Sequence, residues 1–179
     1  MTTTKWVLDP THSEVVFKVK HLMISNVKGE FRTFNAELIS EGENFENAKI
    51  KASIDAVSVF TNNNDRDNHL KSADFFDAEN HKELTFVSSS ISKVDDENYK
   101  IKGLLAIKGM SKEVEVDAEF GGIAKDPWGN EKAGFSLSTT INRKDWGLNW
   151  NAALETGGVL VGEEIKINAE VQFVKVSQE

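Results

Sequence analysis

The chain has 179 residues, 39% hydrophobic and 28% charged, and its formal net charge at pH 7 is −8. This composition is typical of a folded globular protein, and the length predicts a single domain over residues 1–179. The negative charge argues against nucleic-acid binding and against adsorption to anionic membranes, since both need a basic surface. The absence of cysteine excludes disulfides, thiol catalysis and thiolate metal sites.

The sequence shows no targeting or membrane-spanning signal. Its first residues have no apolar stretch like a signal-peptide core, and no apolar run approaches the roughly 20 residues of a membrane span. The sequence as written therefore predicts a cytoplasmic protein without stable membrane insertion. If a leader peptide has been removed, the expected compartment is the periplasm.

Alternation of apolar and polar residues is the main structural signal. The alternation is unbroken over residues 48–56, and it predicts a strand with one buried and one exposed face. The same period predicts further long strands at about residues 13–21, 30–39, 84–91, 99–107, 114–120, 133–141 and 165–173. About eight long antiparallel strands predict an all-β protein, either a sandwich or a closed barrel.

Two segments depart from this pattern. Apolar residues change parity between Phe31 and Phe34, which predicts a bulge or a bend in that strand. Residues 60–83 fit no strand, and a cap signal at residues 62–65 predicts a short helix over residues 66–71. Long irregular segments inside compact domains are often functional. A further helical turn is predicted at residues 152–155.

Glycine and tryptophan positions add detail. Gly103 lies mid-strand on the predicted buried face, where a glycine marks a bend or the close approach of a ligand. The sequence around Gly109 predicts the clearest hairpin of the chain. Trp128 and Trp146 are predicted to plug the ends of the barrel.

The histidines do not predict a metal site. His12 and His21 are nine residues apart, and His69 and His81 lie in the irregular segment, so none has the close spacing of paired ligands. Ser13 follows His12 directly, and neighbouring residues of a strand point to opposite faces. The pair therefore does not predict nucleophilic catalysis.

Arg66 and His69 stand beside the aromatic pair Phe75 and Phe76. They can belong to a surface helix with a local ion pair. Alternatively, they form a lip that binds the polar end of a ligand whose apolar part enters the core. The arginine fork suits a phosphate or pyrophosphate, because it donates two parallel hydrogen bonds. The residues alone leave both interpretations open.

Several separated motifs extend over nearly the whole chain. They are Asp9-Pro10-x-His12-Ser13, Gly29-Glu30-Phe31, Arg66-Asp67-x-His69-Leu70, Asp74-Phe75-Phe76-Asp77, Asp126-Pro127-Trp128-Gly129 and Asn142-Arg143-x-Asp145-Trp146-Gly147. Their order and spacing resemble the YceI-like family, called polyisoprenoid-binding proteins. The block at residues 66–77 is the most specific part of the resemblance.

The resemblance implies a lipocalin-like, eight-stranded antiparallel barrel around a long isoprenoid chain, with a pyrophosphate or quinone-type head near the mouth. It favours the ligand interpretation of Arg66 and His69 and makes His12 a further head-group candidate. The residues expected to contact the apolar chain are Val15, Phe17, Val19, Phe75, Phe76, Phe86, Leu105, Phe120, Phe135 and Ile141. The resemblance also implies that two copies can form a homodimer. No metal or cofactor is expected apart from a bound isoprenoid lipid or isoprenoid quinone.

The function predicted in this way is non-catalytic binding, storage or transport of a long-chain isoprenoid. One alternative is an enzyme that acts on an isoprenoid in the same cavity, with His12, Asp67 or His69 as acid–base groups. Another is a β module with a filled interior that only binds protein partners.

Overall fold

The computed structural model describes residues 3–22, 24–151 and 160–178 of the chain. The strands are β1 (Thr3–Leu8), β2 (Glu14–His21), β3 (Ser25–Phe31), β4 (Phe34–Glu41), β5 (Asn44–Asp55), β6 (Val59–Phe60), β7 (Glu83–Lys93), β8 (Asn98–Ile107), β9 (Met110–Lys125), β10 (Glu131–Asn142) and β11 (Val161–Gln178). The helices are α1 (Asn64–Lys71) and the 3₁₀-helices Pro10–His12, Ala56–Ser58 and Arg143–Trp146. The helical turn predicted at residues 152–155 lies outside the described residues. In the described ranges, no helix has the length and apolar character needed to cross a membrane.

The strands form one antiparallel sheet that closes on itself. The hydrogen-bonded order around the ring is β1-β4-β5-β7-β8-β9-β10-β11, and β11 pairs again with β1. Three shorter strands continue strands of this ring: β2 follows β1, β3 leads into β4, and β6 follows β5. In this part of the barrel β2 pairs with β11 and β3, and β3 pairs with β6. The prediction of an all-β, eight-stranded antiparallel barrel is confirmed.

The interruptions within these lines have local causes. Asp9 ends β1 by capping the helix Pro10–His12, where its carboxylate accepts a hydrogen bond from the main-chain N–H of Thr11 at 3.1 Å. Proline lacks the N–H that a continuous strand would need at this point. The break between β3 and β4 falls between Phe31 and Phe34, where the parity change predicted a bend.

Alternation places the apolar residues inside the barrel, as predicted. Along β8 buried and more exposed residues alternate throughout, and in β5 the side chains of Ile50, Ala52 and Ile54 face the interior. The predicted hairpin joins β8 to β9. Its two turn residues, Lys108 and Gly109, have φ values of 53° and 77°, as a tight two-residue hairpin turn requires.

An aromatic cluster fills one end of the barrel. The ring of Phe45 lies 5.7 Å from that of Trp6, 5.1 Å from Phe120 and 5.2 Å from Phe135. Phe45 is 2% exposed and Trp6 is fully buried. Because these rings come from β1, β5, β9 and β10, they close this end across the barrel.

The two tryptophans predicted as plugs differ. Trp146 is buried near the opposite end, and its Nε1 donates a hydrogen bond to the main-chain oxygen of Leu105 at 2.8 Å. For Trp128 the prediction is wrong, since this residue is 83% exposed. It lies in the β9–β10 turn, where Asp126 accepts hydrogen bonds from the main-chain N–H groups of Trp128 and Asn130. This tight turn lies outside the barrel and leaves the indole in solvent.

Gly103 is buried in β8 beside a bulge in β7 between Ser88 and Ser90. A Cβ at this position would lie 2.5 Å from the carbonyl oxygen of Val87 and 2.6 Å from the ring of Phe86. The β7 bulge and a close approach of β7 atoms to the Gly103 main chain therefore occur at the same place.

We predict that Gly103→Ala destabilises the barrel, because its methyl group overlaps main-chain and ring atoms. Overpacking of this kind costs about 1–3 kcal/mol. The measurement is the free energy of unfolding from urea titration. Gly134→Ala is the matched control, since a Cβ on this β10 glycine meets no atom within 4 Å. Equal unfolding free energies for the two variants would contradict the packing argument.

Candidate ligand cavity

A cavity of about 630 Å³ occupies the barrel interior. Inward-facing side chains from most of the strands form its wall, and most of these side chains are apolar. The volume falls within the range of about 300–1,000 Å³ that is usual for small-molecule sites. The interior is therefore not filled by side chains, unlike that of a solid β module.

Most of the residues predicted to bind a ligand line this cavity. They are Val15, Phe17, Val19, Phe75, Phe76, Phe86, Leu105, Phe135, Ile141, Arg66 and His69. That these side chains contact a bound molecule stays a prediction. Their common placement follows from strand parity for the β residues and from the 61–82 segment for the others.

Phe120 is not among the residues that line the cavity. Its ring packs at 5.1 Å from Phe45 and at 5.2 Å from Phe135, within the aromatic cluster at the filled end. Parity alone placed it inside the barrel. The aromatic partners that cover it come from β5 and β10, which sequence reasoning did not pair with it.

His12 does not line the cavity either. Its Nδ1 lies 2.8 Å from Asp9 Oδ2, and its side chain is 58% exposed. Hydrogen bonds from Lys132, Thr11 and His12 hold the pKa of Asp9 well below its usual range. This cluster lies where the wall is interrupted before β2. His21, at the other end of β2, lines the cavity near its mouth, which is the end of the barrel opposite the Phe45 cluster. The length of β2 therefore separates His12 from the mouth.

The helix α1 forms one side of the mouth. Asn63 caps it by accepting a hydrogen bond from the main-chain N–H of Arg66 at 3.0 Å, as the cap signal predicted. Asp67 is buried, and its Oδ1 accepts hydrogen bonds from the N–H of Thr61 at 2.8 Å and from its hydroxyl at 2.5 Å. Asp67 thus anchors the helix to the end of β6, and it does not line the cavity.

Arg66 is partly buried and lines the mouth. Its Nε donates to Thr61 Oγ1 at 2.7 Å, and its Nη2 donates to the main-chain oxygen of Thr61 at 2.6 Å. These bonds fix the plane of the guanidinium but use two of its five N–H donors. Among the described residues, no carboxylate forms an ion pair with Arg66. Its remaining donors suit an anionic ligand.

His69 belongs to an aromatic wall of the mouth. Its ring packs edge-on against Phe75 at 5.0 Å and against Trp150 at 4.5 Å, and its Nε2 lies 2.8 Å from Asp74 Oδ2. The Asp74 contact through Nε2 fixes the orientation of the ring. In the ranges that the structure describes, no three His, Asp or Glu side chains are grouped to hold a metal ion.

Sequence reasoning missed Arg143 as a cavity residue. It is 1% exposed and donates to the main-chain oxygens of four residues, at 2.5–3.3 Å. These acceptors are Leu148, Trp150, Val161 and Gly162. Burial lowers the pKa of Arg143, and the charge of Glu163 opposes this shift. The motif at residues 142–147 contained this arginine. Its hydrogen-bond acceptors could not be predicted from the sequence, because every residue has a main-chain oxygen.

The mouth carries an excess of positive charge. The charged residues that line the cavity in the described part of the chain are Lys20, Arg66, Arg143 and a single acid, Asp65. This balance is opposite in sign to the net charge of −8 for the whole protein. The arrangement is therefore an apolar chamber with a cationic rim.

Comparisons with known proteins agree with this geometry. The family model described as a YceI-like domain matches residues 6–173. A UPF0312 protein of Staphylococcus epidermidis is 44% identical over 171 residues, which cover 95% of this chain and 97% of that protein.

Solved structures show the same fold. A Campylobacter jejuni YCEI protein is 37% identical, with a TM-score of 0.75 over 88% of this chain and 90% of its own. A polyisoprenoid binding domain from Saccharophagus degradans has a TM-score of 0.75 at 13% identity and covers 96% of this chain and 98% of its own.

We predict that Arg143→Lys destabilises the protein by about 2 kcal/mol or more, because a lysine cannot serve four buried carbonyl oxygens in place of the guanidinium. Urea denaturation measures the loss. The control is Arg32→Lys, whose side chain is 57% exposed; its ion pair with Glu30 and its stacking on Phe60 at 3.4 Å each contribute about 1 kcal/mol or less. A loss at residue 143 no larger than that of the control would show that the carbonyl contacts add no stability.

Proposed function

The chain belongs to the YceI-like family, and we propose that its cavity binds an isoprenoid lipid for storage or transport, without catalysis. The apolar chain occupies the chamber, and an anionic head group of the pyrophosphate type lies at the mouth. The observation that carries this proposal is the combination of an apolar cavity of about 630 Å³ with a cationic rim at one end. The polyisoprenoid binding domain of the same fold supports the choice of lipid.

The physical basis for holding the apolar chain is burial. Each 100 Å² of apolar surface removed from water contributes about 2.5 kcal/mol. An isoprenoid offers such surface along its whole length and needs no hydrogen-bond partner in the chamber. Lipids with polar groups along the chain would leave those groups unsatisfied among apolar side chains.

The head group is assigned to the mouth because the free donors are there. Arg66 has three N–H groups beyond those bonded to Thr61, and its geometry suits a pyrophosphate. Arg143 uses four hydrogen bonds on main-chain oxygens and adds positive charge. A quinone-type head is neutral and would not use this charge.

A carrier requires only binding and release, and the candidate acid–base groups are held in structural contacts. Asp67 accepts its hydrogen bonds from Thr61 and does not line the cavity, and His12 does not line it either. His69 contacts the mouth, but its Nε2 faces Asp74. Two of the three candidate acid–base groups, Asp67 and His12, therefore do not line the cavity, which supports a binding role over an enzymatic one.

We predict that the protein binds one isoprenoid pyrophosphate per chain, as read by native mass spectrometry after addition of the lipid. Leu105→Trp places an indole in the chamber and should abolish the complex, because Leu105 lines the cavity. Leu104→Trp is the matched control, since its neighbour Leu104 is 51% exposed and faces outward. This variant should bind like the wild type.

Three outcomes would contradict the proposal. The wild type would stay unliganded, or Leu105→Trp would bind as well as Leu104→Trp, which would place the lipid outside the chamber. Release of inorganic phosphate or a changed lipid mass on incubation would instead indicate an enzyme. Extraction with organic solvent after the incubation distinguishes this last case.

We predict that Arg66→Ala weakens binding of an isoprenoid pyrophosphate about tenfold or more and leaves the isoprenoid alcohol nearly unaffected. The reason is that charge-assisted hydrogen bonds contribute about 1.5–3 kcal/mol. Arg66→Lys keeps the charge without the fork and should be intermediate. Lys71→Ala is the control on the same helix, because Lys71 does not line the cavity. Equal losses for both lipids would remove Arg66 from the head-group site.

A further inference from the structure

The hairpin between β2 and β3 presents apolar side chains beside the mouth. Ile24 is 82% exposed and Leu22 is 38% exposed. The N–H of Leu22 donates to the main-chain oxygen of Leu160 at 2.8 Å, and both Leu160 and His21 line the cavity. The tip is therefore continuous with the rim. Single exposed apolar residues are common on protein surfaces, so the tip alone implies no partner.

A row of lysines lies on the outer wall, separated from this tip by three residue pairs of the β2–β3 ladder. In the strand register Lys166 of β11 is opposite Lys18 of β2, and Lys18 is opposite Lys28 of β3. The three point outward, because their strand neighbours, such as Phe17 and Val19, line the cavity. Among the described residues none of the three has an ion-pair partner. Like charges directly opposite in a sheet are destabilising, so the row carries a structural cost.

The acidic groups near the row do not neutralise it. Glu163 forms an ion pair with Lys144 at 2.8 Å, and Glu30, two residues from Lys28 on the same face, forms one with Arg32 at 2.9 Å. Glu164 shares the outer face with Lys166 but lies beyond ion-pair distance of it. The acidic stretch of β9 is two strands from Lys166 and three from Lys18 around the barrel and comprises Glu113, Glu115, Asp117 and Glu119. The protein is thus acidic overall and basic on the face that adjoins the mouth.

We propose that this hairpin face docks the mouth on a lipid bilayer with anionic head groups. Leu22 and Ile24 enter the interface, and the lysines of the row contact lipid head groups. Basic clusters beside an apolar tip bind anionic bilayers in this way. The overall charge of −8 opposes binding weakly, because charges farther than about 8 Å from the surface are largely screened at physiological salt. Such docking would run against the sequence expectation that the charge disfavours anionic membranes, because that expectation rests on the net charge of the whole chain.

The proposal goes beyond ligand binding and is tested without any isoprenoid. Cosedimentation with vesicles of phosphatidylglycerol and phosphatidylcholine gives the bound fraction, and pure phosphatidylcholine vesicles give the neutral reference. We expect salt-sensitive binding to the anionic vesicles alone. Lys18→Gln/Lys28→Gln should lower the partition coefficient about tenfold or more. The control is Lys49→Gln/Lys51→Gln, two exposed lysines of β5 far from the tip, which should bind like the wild type.

The orientation of docking is read from a fluorescent label. The chain has no cysteine, so Ile24→Cys is labelled at one site with an environment-sensitive dye. Its emission should shift to the blue on the anionic vesicles. Val94→Cys is the control, because Val94 is 60% exposed in the β7–β8 turn at the other end of the barrel, and its emission should not change.

The proposal is overturned by any of three results. The wild type fails to sediment with anionic vesicles, or the two lysine double variants bind equally, or the labels at residues 24 and 94 respond alike. Thermal unfolding of each variant confirms that it is folded. These results leave isoprenoid binding untouched, since that property is measured in vesicle-free solution.

Discussion

The closure of the sheet by β11 is the constraint on which the rest of the structure depends. This strand pairs with β10 along one edge, and on the other edge it pairs first with β2 and then with β1. A ring closed in this way fixes which side of every strand faces inward, because side chains alternate along each strand. The alternating sequence then becomes an apolar interior and a charged exterior.

The closed ring also sets the space that the interior leaves. At one end Phe45 and its aromatic neighbours meet across the barrel and fill it. Over the remaining length, the inward side chains do not meet, and a cavity of about 630 Å³ is left. The segment with α1 covers the other end, where Thr61 holds Arg66 and Asp67 in place. An apolar chamber with a charged opening is the result of these separate contacts.

Strand period and turn chemistry made the barrel predictable from the sequence. Local patterns of a few residues determine the long strands, the helix cap at Asn63 and the hairpin turn at Gly109. The local patterns did not predict which inward-facing side chains line the cavity and which pack against one another to fill the closed end. Phe120 and Phe135 have the same parity signal, yet only Phe135 lines the cavity, and the ring that packs on Phe120 from across the barrel, Phe45, belongs to a strand far away in the sequence.

The polar site was predictable in part. Arg66 and His69 were predicted to bind the head group at the mouth; both line the cavity, and their contact with a head group stays a prediction. His12 belonged to an equally clear motif, but its partner Asp9 holds it on the outer wall. Arg143 was missed because its partners are main-chain oxygens, which carry no sequence signature. Sequence motifs indicate candidate functional residues, whereas tertiary contacts determine whether those residues line the cavity.

The central claim is that the apolar chain of the ligand lies inside the barrel, and methyl NMR tests it most directly. With labelled methyl groups, an added isoprenoid pyrophosphate should shift the signals of Ile101 and Ile141, which line the cavity, and show contacts to them. The exposed methyl groups of Val87 and Val94 should stay unchanged. Shifts confined to the exposed methyl groups, or no shift at Ile101 and Ile141 at saturating lipid, would contradict the account.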